Sequence, residues 1–598
     1  MIRLIRPYLF VLFISLLVLS SFSGSERIPN YVSPIDFELD LKKNLVYVAE
    51  FSSKKIRCID LESNKTKAEL DLEMSPKAIA IFNGKLLTAS SHSKGELIVS
   101  SLKKLKIESR IPVGHGASDV VVSPDGKMAY VSNQFSDDVS VVDLSAKKEI
   151  DRISVLRQPM VLEIGQDGKH LFVANLLTSK RADVDTVAAE VSIIDIEKGK
   201  VVKNIPLANG SNALRGICLS TDGKFVFISH NLGRFQVPTT QLEQGWMNTS
   251  ALSVIDAKSL DYIATVLLDD PESGAAGSWG IDCTPEHILV AHSGTHDFSV
   301  IDYPKFVEKL LKTENKDMLS YDLLFLSGIR ERIQVTGNGP RIIKGVGENV
   351  YVANYFSDQI DIVDLNKPVI SEYKSIELNK DLYADSVRLG EIYFNDAAYC
   401  FQGWQSCNGC HPNHARTDGL NWDLLNDGMG NPKNCKSMLL SHVTPPAMIS
   451  GIRPTAEIAV RAGFRHIQFA QVDESRARAV DQYLMSLKPV PSPKLVDGEL
   501  SPLAKKGKEV FERMNCVMCH PAPYYTDMKI HELGEVGQFD KQNKWDTPTL
   551  VEVWRTGPYL HDGRSATMKE VFSVEKHGIW GDITNEELEA LAEYVLSL

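Results

Sequence analysis

The chain has 598 residues, 43% of them apolar and 24% charged, with a net charge of −12. That length exceeds what one hydrophobic core supports and implies two to four domains of ordinary globular composition. An acidic balance with no basic patch excludes nucleic acid as an expected partner, while a small basic redox protein remains compatible with it.

In chain order, Arg3 and Arg6 precede an apolar run from Tyr8 to Leu19, followed by small residues from Ser20 to Ser25. This pattern predicts a signal peptide over residues 1–24 and no stable transmembrane span after its removal. The expected location is the periplasm or another extracytoplasmic space.

Between residues 25 and 372 one phrase recurs: an apolar strand, a polar turn, and a second strand closing near an Asp. The first strands begin at Val46, Leu86, Ala129, Phe172, Phe227, Ile288 and Val350, and the second close at Asp60, near Ser101, and at Asp143, Asp195, Asp256, Asp302 and Asp364. Ser123-Pro124-Asp125-Gly126 and Thr221-Asp222-Gly223 are hairpin turn signals inside the repeats. Seven copies at a forty-odd-residue period predict an all-β, seven-bladed propeller. The phrases Tyr130-Val131-Ser132-Asn133 and Tyr351-Val352-Ala353-Asn354 resemble the YVTN family of propellers, a resemblance that implies fold and not chemistry. His115, His230, His292 and His296 fall at strand ends or in loops and read as satisfied structural histidines rather than ligands. The insertion Gly233–Thr249, with Arg234, Gln241 and Trp246, is expected to face the neighbouring domain.

Beyond residue 378 the period changes to that of helices. Cys407-Asn408-Gly409-Cys410-His411 and Cys516-Val517-Met518-Cys519-His520 each read as a c-type haem attachment site. Two thiols at this spacing can form thioethers to the two haem vinyl groups, with the adjacent imidazole taking one axial position on the iron. A chain of this composition would carry roughly 0.003 such pentapeptides by chance, and this one carries two. A zinc site would not explain a His directly after both second cysteines. Both motifs share a lead-in, Gly390-Glu391-Ile392-Tyr393-Phe394 and Gly507-Lys508-Glu509-Val510-Phe511, so two mainly α cytochrome c lobes are predicted, at 378–490 and 497–598. A Pro-rich linker joins them, and Asn585–Leu598 reads as an amphipathic helix packed on the second haem-binding helix. Of the other cysteines, Cys58, Cys218 and Cys283 read as buried inert thiols, and Cys400 and Cys435 are candidates for a disulfide.

Asp546-Thr547-Pro548-Thr549-Leu550, followed by Thr556-Gly557-Pro558-Tyr559-Leu560-His561-Asp562-Gly563-Arg564, resembles the signature of the di-haem cytochrome c peroxidase and MauG-like superfamily. The resemblance covers about residues 380–598. It implies two covalent haems with His411 and His520 as proximal ligands, a C-terminal haem fed by an external donor, and an N-terminal haem that reacts with peroxide. It also implies a calcium ion between the lobes, mapping to Asn434, Thr556 and Pro558, and a place for His561 near the inter-haem region. For the distal position of the second haem, Glu575 falls where the family has Met, so His577 is the candidate and Met568 the reserve. For the first haem His414, His442 and His466 compete, with His414 too near His411 to cross the ring. The family's Trp and Gln over the reactive iron are missing here; Arg453 and Glu457 are what remains for acid–base work. Trp404 and Trp422 read as packing residues with a possible relay role. Two readings follow: a peroxidase-like oxidoreductase acting on peroxide or a protein substrate with the propeller as platform, or a relay of two six-coordinate haems.

Overall fold

The computed structural model describes residues 30–598 except 92–93, 237–245, 425–429, 535–536 and 538. The proposed signal peptide and Gln241 lie outside the described residues.

Seven four-stranded sheets follow one another from Pro34 to Glu377, each built from four consecutive strands. The repeating phrase is the middle hairpin of each blade; in the third, Met128–Asn133 pairs with Asp138–Asp143 residue for residue. These middle strands are apolar on both faces because each blade is sandwiched between two others. Tyr47, Ile56 and Cys58 of the first blade, for example, pack on Ile79, Leu86 and Ile98 of the second. The first strand of every blade lies against the axis and packs on its counterparts in the adjoining blades. Among the described residues no strand is exchanged to close the ring. Closure instead rests on Phe37, Val46 and Val48 packed against Ala353, Ile360 and Ile376. Asp358 adds to it by accepting from the backbone N–H groups of Val32 and Ser33, both at 2.9 Å. The final strand, Lys374–Glu377, carries the propeller past the expected boundary at 372.

Cys218 and Cys283 are not free thiols as expected. They sit on the axial strands of the fifth and sixth blades, 6.3 Å apart between Cα atoms, and form a disulfide. Cys400 and Cys435 are unbonded, as is Cys58. His230 and His292 are fully buried and bond the hydroxyls of Ser253 (2.7 Å) and Ser299 (2.8 Å). His230 is satisfied at both nitrogens, through the Asn231 carbonyl as well, whereas Nδ1 of His292 has no hydrogen-bond partner among the described residues.

Two helical lobes follow, and each is organised by a crossing of two helices: α1 (Ser386–Asn395) with α2 (Glu474–Ser486), and α3 (Pro502–Arg513) with α4 (Asn585–Val595). The crossings are copies of one another. A Cβ on Gly390 would fall 1.9 Å from the Ala479 carbonyl oxygen, and one on Gly507 would fall 1.8 Å from that of Ala590. Beside each glycine an aromatic pair fixes the contact, Phe394–Tyr483 at 5.4 Å and Phe511–Tyr594 at 5.3 Å between centroids. Caps define the helix starts: Asp385 accepts from Arg388 N, Ser501 precedes Pro502 and accepts from Ala504 N, and Thr584 forms a capping box with Glu587.

The first lobe is seated on the propeller. The strands flanking the long insertion reach nine residues each, to Gly233 and from Asn248, so they project toward it. Gly233 lies against Leu420 and Trp422, and Trp246 packs on Phe401 and Phe469. Arg234 instead turns back to the Ser320 carbonyl and the Tyr321 ring within the propeller.

Substituting Gly507→Ala forces α3 and α4 apart. It is expected to destabilise the second lobe by about 1–3 kcal/mol. Chemical denaturation followed by far-ultraviolet circular dichroism checks this, and an unchanged midpoint would show that the helices do not need this close approach.

Candidate haem sites and their junction

Each CxxCH segment forms a tight turn after the first helix of its lobe: Cys516–Met518 directly after α3, and Cys407–Gly409 after α1 and two short intervening turns, Ala397–Tyr399 and Phe401–Gly403. In both lobes the histidine Nδ1 donates to the carbonyl five residues on: His411 to Arg416 (3.1 Å) and His520 to Tyr525 (2.8 Å). That bond fixes the tautomer and leaves Nε2 with its lone pair for a metal. Burial favours the neutral, ligating form, lowering the pKa of His411 and taking that of His520 down to about 4. Cys407, Cys410 and His411 open into a cavity of about 250 Å³ walled by Phe394, Met438, Met448, Val460, Ile467 and Val480, with Lys436 and Arg453 among its polar lining. Paired thiols, a neutral imidazole and apolar walls fit a covalently held haem.

The candidate distal residues separate. His442 does not line this cavity; its Nε2 pairs with Asp481 Oδ1 at 3.1 Å, and Asp481 also holds Arg461. His466 is exposed on the stretch Gly463–Ile467 and likewise does not line it. His414 is turned to the propeller side, where its exposed side chain borders the axial cavity. Met438 and Met448, which the sequence reading passed over, do line the haem cavity and offer thioether sulfurs. The signal for Met448 was an internal repeat. Thr444–Arg453 and Thr556–Ser565 share a cis X-Pro bond, a left-handed residue (Met448, Leu560), a left-handed glycine (Gly451, Gly563) and a closing bridge (Ala447 to Arg453, Tyr559 to Ser565). In the second lobe His577 is a near enough electrostatic neighbour to help depress His520, whereas Met568 is buried in the helix core and Glu575 is held by Arg564 at 2.7 Å.

Arg453 lines the first cavity, but Glu457 is exposed on the opposite side of the helix Ala456–Ala462, whose Ala456, Ala459 and Val460 face inward. The expected proton donor is therefore turned to solvent, because the helical period puts residue 457 off the face shared by 456, 459 and 460. Trp404 is buried with its indole donating to Gln402, and Trp422 lines the cavity while donating to Asp418 at 2.8 Å.

Two of the three expected calcium residues meet at Gly563. A Cβ there would lie 2.8 Å from Asn434 Nδ2 and 3.1 Å from Pro558 Cγ. Asn434 Nδ2 donates to Asn421 Oδ1 (3.1 Å), which leaves its own Oδ1 as the side-chain oxygen. The Thr556 hydroxyl donates to the Val553 carbonyl, and Asp562 is engaged by Arg564 at 3.0 Å. The side-chain oxygen left there is Asn434 Oδ1, a neutral donor of the type that suits calcium and not a thiophilic metal.

The lobes are joined through Glu552. Its carboxylate takes both Nε and Nη2 of Arg416 at 3.0 Å and Nη1 of Arg555 at 2.9 Å, with all three side chains at most 4% exposed. Arg416 is also the residue whose carbonyl orients His411. On the propeller side, Arg157 donates to the Arg555 carbonyl (2.8 Å) and Phe135 meets Trp554 edge-on at 5.3 Å. Nearby, Lys436 pairs with Asp546 (2.6 Å), the Asp546 N–H donates to the Ile449 carbonyl (3.0 Å), and Trp545 stacks on His561 at 3.9 Å. His561 bonds Asp540 at 2.6 Å.

This fold and site define a seven-bladed β-propeller joined to a cytochrome c region, a haem oxidoreductase architecture. Family models agree: "Lactonase, 7-bladed beta-propeller" matches residues 86–188 and "Cytochrome c" matches residues 504–598. Among relatives, hydrazine synthase subunit gamma of Kuenenia stuttgartiensis is 27% identical over 36% of this chain and 78% of its own. Methylamine utilization protein MauG of Methylophilus methylotrophus is 24% identical over 36% of this chain and 81% of its own. A solved structure of Kuenenia stuttgartiensis hydrazine synthase shares the fold with a TM-score of 0.51 at 23% identity, covering 57% of this chain and 98% of that one.

Replacing Glu552 by Gln leaves Arg416 and Arg555 buried without a countercharge. A loss of about 3–5 kcal/mol is expected. Chemical denaturation checks this; an unchanged midpoint would show that the cluster does not hold the lobes together.

Proposed function

We propose that the protein is an exported di-haem c-type cytochrome that acts as a peroxidase-like oxidoreductase, passing electrons from a small redox protein through the second haem to the first. Bound haem supplies one-electron transfer and, where an axial position is free, chemistry on peroxide or an oxidisable substrate. The observation that carries the reading is the matched bond from each proximal histidine to a carbonyl, in two lobes locked together by the Arg416–Glu552–Arg555 cluster. His411 and His520 present Nε2, Lys436 and Arg453 supply positive charge at the first cavity, and the apolar walls exclude water. The commitment of His442 to Asp481 and the exposure of His466 support the reactive reading, because neither nitrogen closes the first site from where it stands. Glu457 is too exposed to serve as an acid there, so Arg453 is the polar group left to polarise a bound oxygen. The relay reading keeps one observation in its favour, the thioethers of Met438 and Met448 on the cavity wall.

The denatured protein is expected to carry two haem masses, and the Cys407→Ala/Cys410→Ala double variant to carry one. Paramagnetic resonance of the ferric protein is expected to show a high-spin haem that peroxide converts. Two low-spin signals unaltered by peroxide after partial reduction would establish the relay.

Calcium held by Asn434 with the Thr556 and Pro558 carbonyls would couple the lobes. Chelation or Asn434→Ala is then expected to slow inter-haem electron transfer while both haems stay attached. If neither treatment alters bound metal or the transfer rate, the resemblance does not extend to this site.

A further inference from the structure

The propeller axis encloses a cavity of about 580 Å³ whose upper end is roofed by the first haem lobe, through Glu391, Asn408, Asn413, His414 and Tyr483 among others. The register of the seven axial strands sorts its charges into rungs. The rung nearest the lobe carries Lys77, Arg215 and Arg341, and its other places are Ile35, Ser118, Met160 and Trp279, so it holds three cations and no carboxylate. Carboxylates occur only on deeper rungs, and there they serve as blade-to-blade links. Asp36 accepts from Ile79 N (2.7 Å), Asp119 from Leu162 N (2.8 Å) and Asp282 from Gly345 N (2.8 Å), while Glu38 pairs with Lys344 (2.7 Å).

The three cations are left without a carboxylate partner among the described residues. Arg341 is 6% exposed and rests its guanidinium on Trp279 (4.2 Å) and Tyr355 (3.6 Å), and its Nε has no hydrogen-bond acceptor. Arg215 covers the other face of the local aromatic cluster at Trp279 (4.4 Å) and donates to Asn408 Oδ1 at 3.0 Å. Lys77 contacts the Phe51 ring at 4.6 Å, and burial with repulsion from Arg341 and Arg555 pushes its ammonium down to about 8. Glu391, the nearest acid in the roof, is engaged by Arg388 at 2.7 Å. Holding three such charges together in a buried chamber is costly unless an anion completes them.

We propose that this chamber is a binding site for a small oxyanion, a carboxylate or an inorganic oxoanion, held by Arg341, Arg215 and Lys77 between the propeller axis and the first haem motif. Guanidinium groups are suited to this ligand class, because their planar N–H forks match two oxygens at once. The site communicates with the first haem segment directly, since Asn408 stands between Cys407 and Cys410 and is bonded to Arg215. It is independent of whether that haem reacts with peroxide.

The test is calorimetric titration of the haem-loaded protein with nitrate, acetate and inorganic phosphate, alongside Lys77→Met and Arg341→Gln. At least one anion is expected to bind the parent protein and raise its melting temperature, and each variant to weaken it by at least about tenfold, the loss of one charge-assisted hydrogen bond. Lys77→Met keeps the test decisive if Arg341→Gln misfolds, because among the described residues the Lys77 ammonium makes no hydrogen bond or ion pair and rests on the Phe51 ring. Failure of all three anions to bind at about 10 mM, or equal binding by Lys77→Met, would overturn the proposal.

Discussion

The buried Glu552 carboxylate, shared by Arg416 and Arg555, is the constraint on which the rest of the haem region depends. Three ions at this depth are stable only while each is fully paired, so the cluster tolerates one relative placement of the two lobes and no graded alternatives. Arg416 belongs to the first lobe and positions His411 through its own carbonyl; Arg555 belongs to the second and receives Arg157 of the propeller. The setting of His411, lobe packing and propeller docking are therefore tied to one group of charges.

The two lobes are nearly the same object in different surroundings. Their helix crossings, histidine–carbonyl bonds and cis-proline loops coincide, yet the first rests on the propeller through Asn248, Trp246 and Arg215 while the second leaves Met518 of its motif 68% exposed. The same proximal motif is thus placed in two dielectric environments. With haem held at both motifs, the one in the drier site would be held more strongly to its less charged state, which would give electrons a direction.

The fold was largely legible in the sequence because its middle hairpins must be apolar on both faces, and Val46–Asp60 or Ala129–Asp143 show that plainly. The axial strands escaped notice since their side chains alternate between core and a polar channel, as at Asp36 and Asp119. With them went the Cys218–Cys283 bond, which depends on adjacency in the ring and not in the chain. Both CxxCH segments stand out by spacing alone. Their distal surroundings do not, because a histidine's worth as a ligand is decided by what else it can bind: His442 finds Asp481, a partner 39 residues on that no local pattern reveals. Met448 lacked any polar signature and emerged only from the loop it shares with Leu560.

The seat of the first motif has a consequence for how the molecule is made. Asn248 lies against both Gly409, where a Cβ would approach it to 3.1 Å, and the Cys410 sulfur at 3.1 Å, so the docked propeller covers the edge at which thioether bonds must form. Maturation machinery needs those thiols in the open. A haem attached at Cys407 and Cys410 would then have to be installed before the lobe docks, whereas the turn of the second motif leaves Val517 and Met518 exposed, at 41% and 68%.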